Sequence, residues 1–425
     1  MPADIGGACG SAKAMASRFS YRLLPYAVCL AVCALIDLFY FPRALTFADE
    51  QRYLSSAVRL AASGEFWVGA DRAWEMPGPA IFFAGFVRLF GETGALIPIR
   101  LAQAFLIAIQ CGLVGFIARR LFRDRLAGFI AACLCAIYPF FLFYQGLLLS
   151  ETLFDTLLLA GVAALFCWRE RGARIDLALV VACACFAAAT VTKATLTFLP
   201  PLLFAVSAWL DGLTWRRTLA VLAAAACLYA AFMSPWWLRN AAVLHAFVPF
   251  TTGSAINLYV GNNPHNLDAG IDWATDVEPD VFARINAMPD EVARQHAFSE
   301  RALGYIEQNP DTFLRAAVKK FIRFWNVIPN AAEFRSGLYS LVSALSFGPV
   351  LILAIACALR RRRQWRMLAP IYLIVGYFTF VHVVTIASLR YRLPLEPLLI
   401  AMAAEPLAAL AARARKDDAS SPAPT

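Results

Sequence analysis

The arginines of this chain are sorted. Between long apolar runs, basic clusters recur at Arg119/Arg120/Arg123/Arg125, Arg169/Arg171/Arg174, Arg216/Arg217, Arg360/Arg361/Arg362/Arg363 and Arg413/Arg415/Lys416. Threaded back and forth across a bilayer, every cluster falls on one side, and the positive-inside rule makes that side the cytoplasm. The opposite face then gathers Asp49, Glu50, Glu75, Glu151, Lys193, Arg239, Arg390 and Arg392. So sparse a set of carboxylates and cations, held at one membrane surface, has the makings of a reaction site.

A soluble fold is excluded by the balance of residue types. The 425 residues are 60% hydrophobic and only 16% charged, with a mean hydropathy of +0.62. Soluble domains carry about 25% charge, so this chain lacks the polar surface to cover a core in water. The net charge of +9 sits in the short turns, where it orients spans and meets anionic headgroups rather than nucleic acid. Lys13, Arg18 and Arg22 precede an apolar run too long for a signal peptide. Leu23–Phe41 therefore reads as an uncleaved first span behind a cytoplasmic tail, residues 1–22. Of the 11 cysteines, Cys9 lies in that tail and the others lie in apolar runs, with no CxxC pair. They read as small packing residues rather than bridges or ligands.

A span needs about 20 apolar residues, which gives about ten here: Leu23–Phe41, Ala95–Ala118, Leu126–Phe143, Leu147–Trp168, Ile175–Val191, Leu196–Leu210, Leu219–Trp236, Leu338–Leu359, Met367–Ser388 and Leu393–Leu410. The short one, Leu196–Leu210, has to cross or the arginines after it land on the wrong side. The expected fold class is thus an all-α polytopic membrane protein. Residues 23–236 form a first transmembrane core that includes an outer loop, 42–94. Residues 237–337 form a small mixed or α outer-face domain, 338–412 the last spans, and 413–425 a disordered cytoplasmic tail. Within the first loop, Asp49–Ala62 and Pro79–Phe90 suit helices lying in the interface. In the outer segment, Pro289 and Pro310 bound a helix over Asp290–Gln308, and a second runs over Asp311–Asn326.

Asp49 and Glu50 follow the first span directly, so their carboxylates sit near membrane level. Partial desolvation there raises a carboxyl and suits it to take a proton from an attacking hydroxyl. A solvated acidic residue is the commoner outcome after a span. Lys193, Arg239, Arg390 and Arg392 stand near span ends, where cations either snorkel to headgroups or stabilise a developing anion. Glu151 opens the fourth span, where it either orients a substrate and pairs with Lys193 or compensates a helix N-terminus; Asp155, one turn on, shares the ambiguity. The acidic stretch Asp276-Val277-Glu278-Pro279-Asp280 is too loose for a metal cluster and reads as a solvated loop. His245, His265, His296 and His382 form no ligand pair. No obligatory metal or cofactor is expected.

Seven stretches carry a resemblance. They are Asp49-Glu50-Gln51-Arg52-Tyr53, Glu75-Met76-Pro77-Gly78-Pro79, Leu149-Ser150-Glu151-Thr152, Thr192-Lys193, Pro235-Trp236-Trp237-Leu238-Arg239-Asn240, Asn257-Leu258-Tyr259-Val260-Gly261-Asn262-Asn263-Pro264 and Arg390-Tyr391-Arg392-Leu393-Pro394. In this order and topology the chain resembles the GT-C membrane glycosyltransferases, in the bacterial branch similar to protein mannosyltransferases and aminoarabinose transferases. The resemblance implies transfer of a sugar from a polyprenyl-phosphate donor to an acceptor hydroxyl at the outer face. It implies Asp49 as base with Glu50 the next candidate. Lys193, Arg239, Arg390 and Arg392 are then placed to bind the donor phosphate. Tyr53, Glu75, Glu151, Asn257, Asn262 and Asn263 are placed to orient substrate. Met76 stands where the aminoarabinose-transferase pattern has lysine, which favours the broader branch.

A direct displacement, and so inversion at the sugar carbon, follows from one base, one hydroxyl and one anionic leaving group. The implied partners are a polyprenyl-phosphate sugar, a glycan, lipid or protein acceptor, and membrane lipids, with no nucleic acid. The implied location is a bacterial inner membrane with both termini cytoplasmic and the site periplasmic. Two other readings fit a polytopic chain. A glycan polymerase or ligase would differ in acceptor. A lipid-linked sugar flippase or transporter would place its charges near the bilayer midplane, often in repeated halves.

Overall fold

A computed structural model describes residues 6–41, 45, 47–330 and 336–420. In chain order its helices are α1 (Gly6–Phe39), α2 (Ala48–Ser63), α3 (Gly78–Gly94), α4 (Leu96–Phe122), α5 (Arg125–Ala136), α6 (Pro139–Tyr144), α7 (Glu151–Glu170), α8 (Leu177–Thr192) and α9 (Leu199–Leu210). They continue as α10 (Trp215–Leu244), α11 (Ser254–Gly261), α12 (Pro279–Asn286), α13 (Glu291–Gln308), α14 (Pro310–Trp325), α15 (Gly337–Arg360), α16 (Trp365–Val384), α17 (Leu389–Arg392) and α18 (Glu396–Ser420). The described residues hold no strand beyond one isolated bridge, Val68 to Asp71.

Among the described residues, six helical segments are long and apolar enough to cross a membrane, and four shorter apolar helices accompany them. This is an integral membrane protein. The ten segments fall where the hydropathy places spans, with two informative differences. The expected span Leu126–Phe143 is broken into α5 and α6, because Pro139 disfavours helical backbone at Tyr138, which turns extended. The span expected from Leu147 begins only at Glu151. Residues 145–150 are irregular, and buried side chains satisfy their backbone. Gln103 Nε2 donates to the Gln145 and Leu147 carbonyls at 2.7 and 2.9 Å. Irregular backbone at this depth survives only with such partners.

The bundle has a packed interior and a lipid-facing rim. The α7 segment and the Leu389–Arg415 segment are each 72% buried, whereas the α10 segment is 17% buried. Exposed Leu219, Phe232, Leu345, Ile352 and Leu359 belong against acyl chains, which cover apolar rims at no hydration cost. Where α4 meets α5, Gly115 and Gly128 let the backbones touch, since a Cβ on either would lie 2.8 Å from the other's carbonyl oxygen.

The two ends of the bundle differ chemically. At one end, ion pairs join the arginine clusters to neighbouring helices: Arg120 to Glu170, Arg169 to Asp211 at 2.7 Å, and Arg361 to Glu405 at 2.8 Å. The Arg169–Asp211 pair ties the end of α9 to the end of α7. α1 starts at Gly6, so residues 6–22 continue the first span as helix. α18 likewise runs on to Ser420, past Ala412 where composition predicts disorder, since Ala, Arg and Lys favour helix. Residues 1–5 and 421–425 lie outside the described residues.

At the other end, α2 and α3 lie against the bundle, and α11–α14 form a helical outer domain. Asp290 caps α13 by accepting from Val292 and Ala293. Pro310 opens α14 in the position where its missing N–H costs nothing. Tyr259, Phe298, Val260 and Ala302 pack the domain's small core against Ile386. Buried Glu291 fastens that domain to the first loop. Its carboxylate accepts from the Arg72 and Ala73 N–H groups at 2.8 and 3.1 Å, and from Thr252 Oγ1 at 2.7 Å.

Candidate active site

Between the first loop, the span ends and the outer domain lies a cavity of about 960 Å³. Its charged lining comes from four separate stretches of chain, each steered there by local geometry. In α2, Asp49, Arg52 and Tyr53 are three and four residues apart and so share one helical side. Glu75 precedes α3, and Gly78 brings it in. A Cβ at Gly78 would lie 2.7 Å from the Val191 carbonyl oxygen, so only glycine lets this turn rest on the end of α8. Lys193 caps α8 in extended conformation, which swings its side chain off the helix axis. Arg390 sits in the four-residue helix α17, whose N-cap is Ser388.

These side chains form one chain of alternating charge. Glu75 accepts from Arg52 at 2.6 Å, and Arg52 reaches Asp49 at 3.0 Å. Asp49 accepts from Arg390 Nη1 at 2.5 Å, and Arg390 Nε donates to Glu151 at 2.5 Å. The same Glu151 oxygen accepts from Lys193 Nζ at 3.0 Å. Glu151 is closed off, with its side chain 1% exposed, while that of Asp49 is 32% exposed. Only Asp49 of that pair can meet a substrate. Burial works against the Asp49 carboxylate, but the guanidinium groups of Arg390 and Arg52 outweigh it and hold the carboxyl below its ordinary value. For Glu75 the balance is reversed, and burial pushes the carboxyl up despite Arg52. Burial likewise raises the Tyr53 phenol.

Of the residues the sequence selects, Asp49, Tyr53, Glu75, Lys193, Asn257 and Arg390 line the cavity. Glu151 lies just behind it as the joint between Lys193 and Arg390. The other five are elsewhere. Glu50, one residue round the helix from Asp49, is fully buried. One of its oxygens accepts from the Phe47 N–H at 2.9 Å and the other from the Leu148 N–H at 3.0 Å. It closes the N-terminus of α2 and pins the irregular 145–150 stretch. Arg239 donates to the Phe66 and Arg72 carbonyls at 2.7 and 2.6 Å, which ties the first loop to α10. Arg392 is wholly buried. It pairs with Glu396 at 2.8 Å, donates to the Phe324 and Asn326 carbonyls, and lies 3.3 Å over the Phe347 ring. Asn262 Nδ2 bonds the Leu258 and Val384 carbonyls, and its oxygen accepts from Lys320 Nζ at 3.0 Å. Asn263 Nδ2 bonds the Tyr259, Val260 and Asp276 carbonyls.

The asparagine stretch is therefore a fastening. Gly261 has no room for a Cβ against the Thr385 carbonyl, so α11 ends directly on α16. The loose acidic stretch is also accounted for. Asp276 accepts from the Asp272 N–H at 2.8 Å, and Glu278 pairs with Arg301 at 2.7 Å. Arg52 is the member of the charged chain that the sequence reading left out of the site. Its spacing of three from Asp49 was the available signal. The pair Trp74 and Trp273, about 200 residues apart in sequence, had none.

No protein-family model matches the sequence, and no curated protein matches it either. Solved structures do match. The archaeal oligosaccharyltransferase AglB from Archaeoglobus fulgidus, in complex with an inhibitory peptide and a dolichol-phosphate, is 14% identical with a TM-score of 0.56. That match covers 94% of this chain and 52% of AglB. The apo form of the Archaeoglobus fulgidus enzyme is 13% identical with a TM-score of 0.58, over 96% of this chain and 52% of that one. ArnT from Cupriavidus metallidurans in the apo state is 18% identical with a TM-score of 0.44, over 91% and 78%. The chain spans about half the length of the oligosaccharyltransferase structures it matches. At 13–14% identity, what is shared with them is the fold.

Proposed function

We propose that this chain, which has the GT-C fold of membrane glycosyltransferases, transfers a sugar from a polyprenyl-phosphate donor to an acceptor hydroxyl at the outer membrane face. The observation that carries the reading is the charged chain itself. A partly exposed carboxylate, Asp49, stands one guanidinium away from buried Glu151, which also pairs with cavity-lining Lys193, at one end of a large cavity. The dolichol-phosphate held by AglB supports a lipid-phosphate donor on this fold.

In this mechanism Asp49 accepts the proton of the acceptor hydroxyl as its oxygen bonds to the anomeric carbon. The bond from that carbon to the phosphate oxygen breaks, and its electron pair leaves on the polyprenyl phosphate. Lys193 and Arg390 stabilise the charge that develops there. Glu151 touches neither reactant. It positions both cations from behind. Displacement in one step inverts the anomeric configuration. In this reading the lipid tail leaves the cavity between spans, the arginine clusters face the cytoplasm, and the cavity opens on the periplasmic side of an inner membrane.

The test is a panel of polyprenyl-phosphate sugars offered to the purified protein in nanodiscs, with donor consumption and product configuration read together. Consumption of one donor with an inverted product is expected. No consumption across the panel would remove the transferase reading, and a product retaining the donor's configuration would remove the single displacement.

A further inference from the structure

The cavity has two chemically different walls. All five of its charged side chains, Asp49, Arg52, Glu75, Lys193 and Arg390, come from the first loop and the span ends. The wall supplied by the outer domain holds no Asp, Glu, Lys or Arg among the described residues. Yet that domain is otherwise rich in both signs, with Asp268, Glu278, Arg301 and Lys319 among its ion pairs. Charge is present in the domain and kept off this face.

What the wall offers instead is aromatic and amide. Trp273 is 39% exposed and meets Trp74 edge to face at 6.2 Å and 68°, with Phe282 behind it at 6.2 Å. Trp74 is held rigidly. The Gly253 N–H bonds its carbonyl at 3.2 Å, and a Cβ at Gly253 would lie 3.0 Å from the indole ring. The tryptophans nearby spend their indole N–H groups inside the protein: Trp236 on the Phe250 carbonyl at 2.8 Å and Trp237 on the Pro249 carbonyl at 2.9 Å. Among the described residues, neither Trp74 nor Trp273 spends its indole N–H on such a protein partner, so both N–H groups are open to what occupies the cavity. Asn257, Gln295 and His296 line the cavity alongside.

We propose that this corner, Trp74 and Trp273 flanked by Asn257, Gln295 and His296, is the acceptor subsite and that it takes a neutral glycan. A pyranose presents an apolar C–H face and a rim of hydroxyls. An indole face covers the first, while amides, imidazole and free indole N–H groups bond the second. An uncharged wall desolvates no unpaired ion when such a ligand binds. The location fits delivery. Trp74 is the residue before Glu75, and Glu75 reaches Asp49 through Arg52. A sugar stacked in the corner has its hydroxyls facing the charged end. At about 960 Å³ the cavity is at the upper end of ligand pockets, about 300–1,000 Å³, which leaves room for more than the transferred sugar.

The proposal rests on the transferase reading for its role as acceptor site, but its binding test does not. Full-length Asp49→Asn protein in nanodiscs is titrated with neutral tetrasaccharides of β-glucose, α-mannose and N-acetylglucosamine, and with a Ser/Thr-containing peptide. Binding is read by saturation-transfer NMR. At least one tetrasaccharide should saturate, and Trp273→Ala should weaken it about tenfold, the scale of one lost aromatic contact. Trp273→Phe should recover most of the loss. In turnover with the same saccharide, Trp273→Ala should raise acceptor KM and leave kcat within about twofold. Binding of the peptide alone, or saccharide binding indifferent to Trp273→Ala, would overturn the subsite. Saccharide binding without consumption of any donor would keep the subsite and remove the transferase. Donor consumption with transfer to peptide only would do the reverse.

Discussion

Arg390 and Arg392 are two residues apart and do opposite work. Arg390 faces a cavity and bridges two carboxylates that arrive from α2 and α7. Arg392 is sealed in the seam between α14, α15 and α18, where Glu396 and two carbonyls take its donors. In a helical turn, residues two apart point about 200° from each other, so neither can do the other's task. The comparison separates ion pairs that hold chemistry from those that hold the fold. The first kind is partly exposed and includes a side chain a substrate can reach. The second, at Arg392 and Glu396, is wholly buried, and its charged partner lies four residues away.

The sharpest way to break the comparison is at the cavity. Asp49→Asn should lower transfer by about 10²–10⁴-fold, the scale of a lost general base, with the thermal midpoint close to that of the parent. Near-normal turnover would remove Asp49 as base and return attention to Glu50. Arg392→Ala should act on the seam instead. It leaves Glu396 buried without its cation and should destabilise by about 3–5 kcal/mol, read as a lower melting temperature in detergent. The surviving protein should retain its kcat. Arg392→Met with Glu396→Leu should regain most of that stability, since a buried pair replaced by apolar side chains is often neutral. If the single change lowers kcat and leaves stability alone, the division between the two arginines is wrong.

Arg390→Ala comes next, with an expected loss of about 10²–10³ in kcat, as for removal of one donor to a developing anion. The smallest effect concerns pH. The raised Glu75 carboxyl binds its proton first as pH falls, while the depressed Asp49 carboxyl keeps its charge longer. Stability from Asp49 is present above its unfolded value, about 3.9, and is lost as pH falls through the lower folded value. For Glu75, protonation stabilises the fold, and that contribution is lost as pH rises through its folded value. The acid limb of kcat/KM should therefore follow Glu75, and Glu75→Gln, which fixes the uncharged state, should remove that limb and hold kcat/KM near its low-pH value. An unmoved limb would place the controlling proton elsewhere.

The sequence speaks clearly about depth and says little about direction. Hydropathy and the arginine clusters locate each span end along the membrane normal, which is why Asp49, Glu75, Lys193 and Arg390 could be chosen before any coordinates. Depth also selected Arg239 and Arg392, and the family resemblance Asn262 and Asn263, all of which face the interior. Which way a side chain points around a span depends on neighbours tens to hundreds of residues away. Arg392 needed Phe324, Asn326 and Phe347 to be known. Glu50 failed for a local reason, since the N-terminus of α2 claimed it. Two helices of the outer domain, α13 and α14, were legible from Pro289, Pro310 and the acidic residues that open them, while α11 and α12 were not. Its uncharged wall was not, because that wall is assembled from three separate stretches.

The alternating chain from Glu75 to Lys193 contains three carboxylates and three cations, so its formal charges cancel. In the proposed transfer the donor phosphate competes with Asp49 and Glu151 for Arg390 and Lys193, so donor binding weakens the cation that depresses the Asp49 carboxyl and makes it a better proton acceptor. On that reading the donor adds before the acceptor. Initial-rate patterns showing random addition would speak against it.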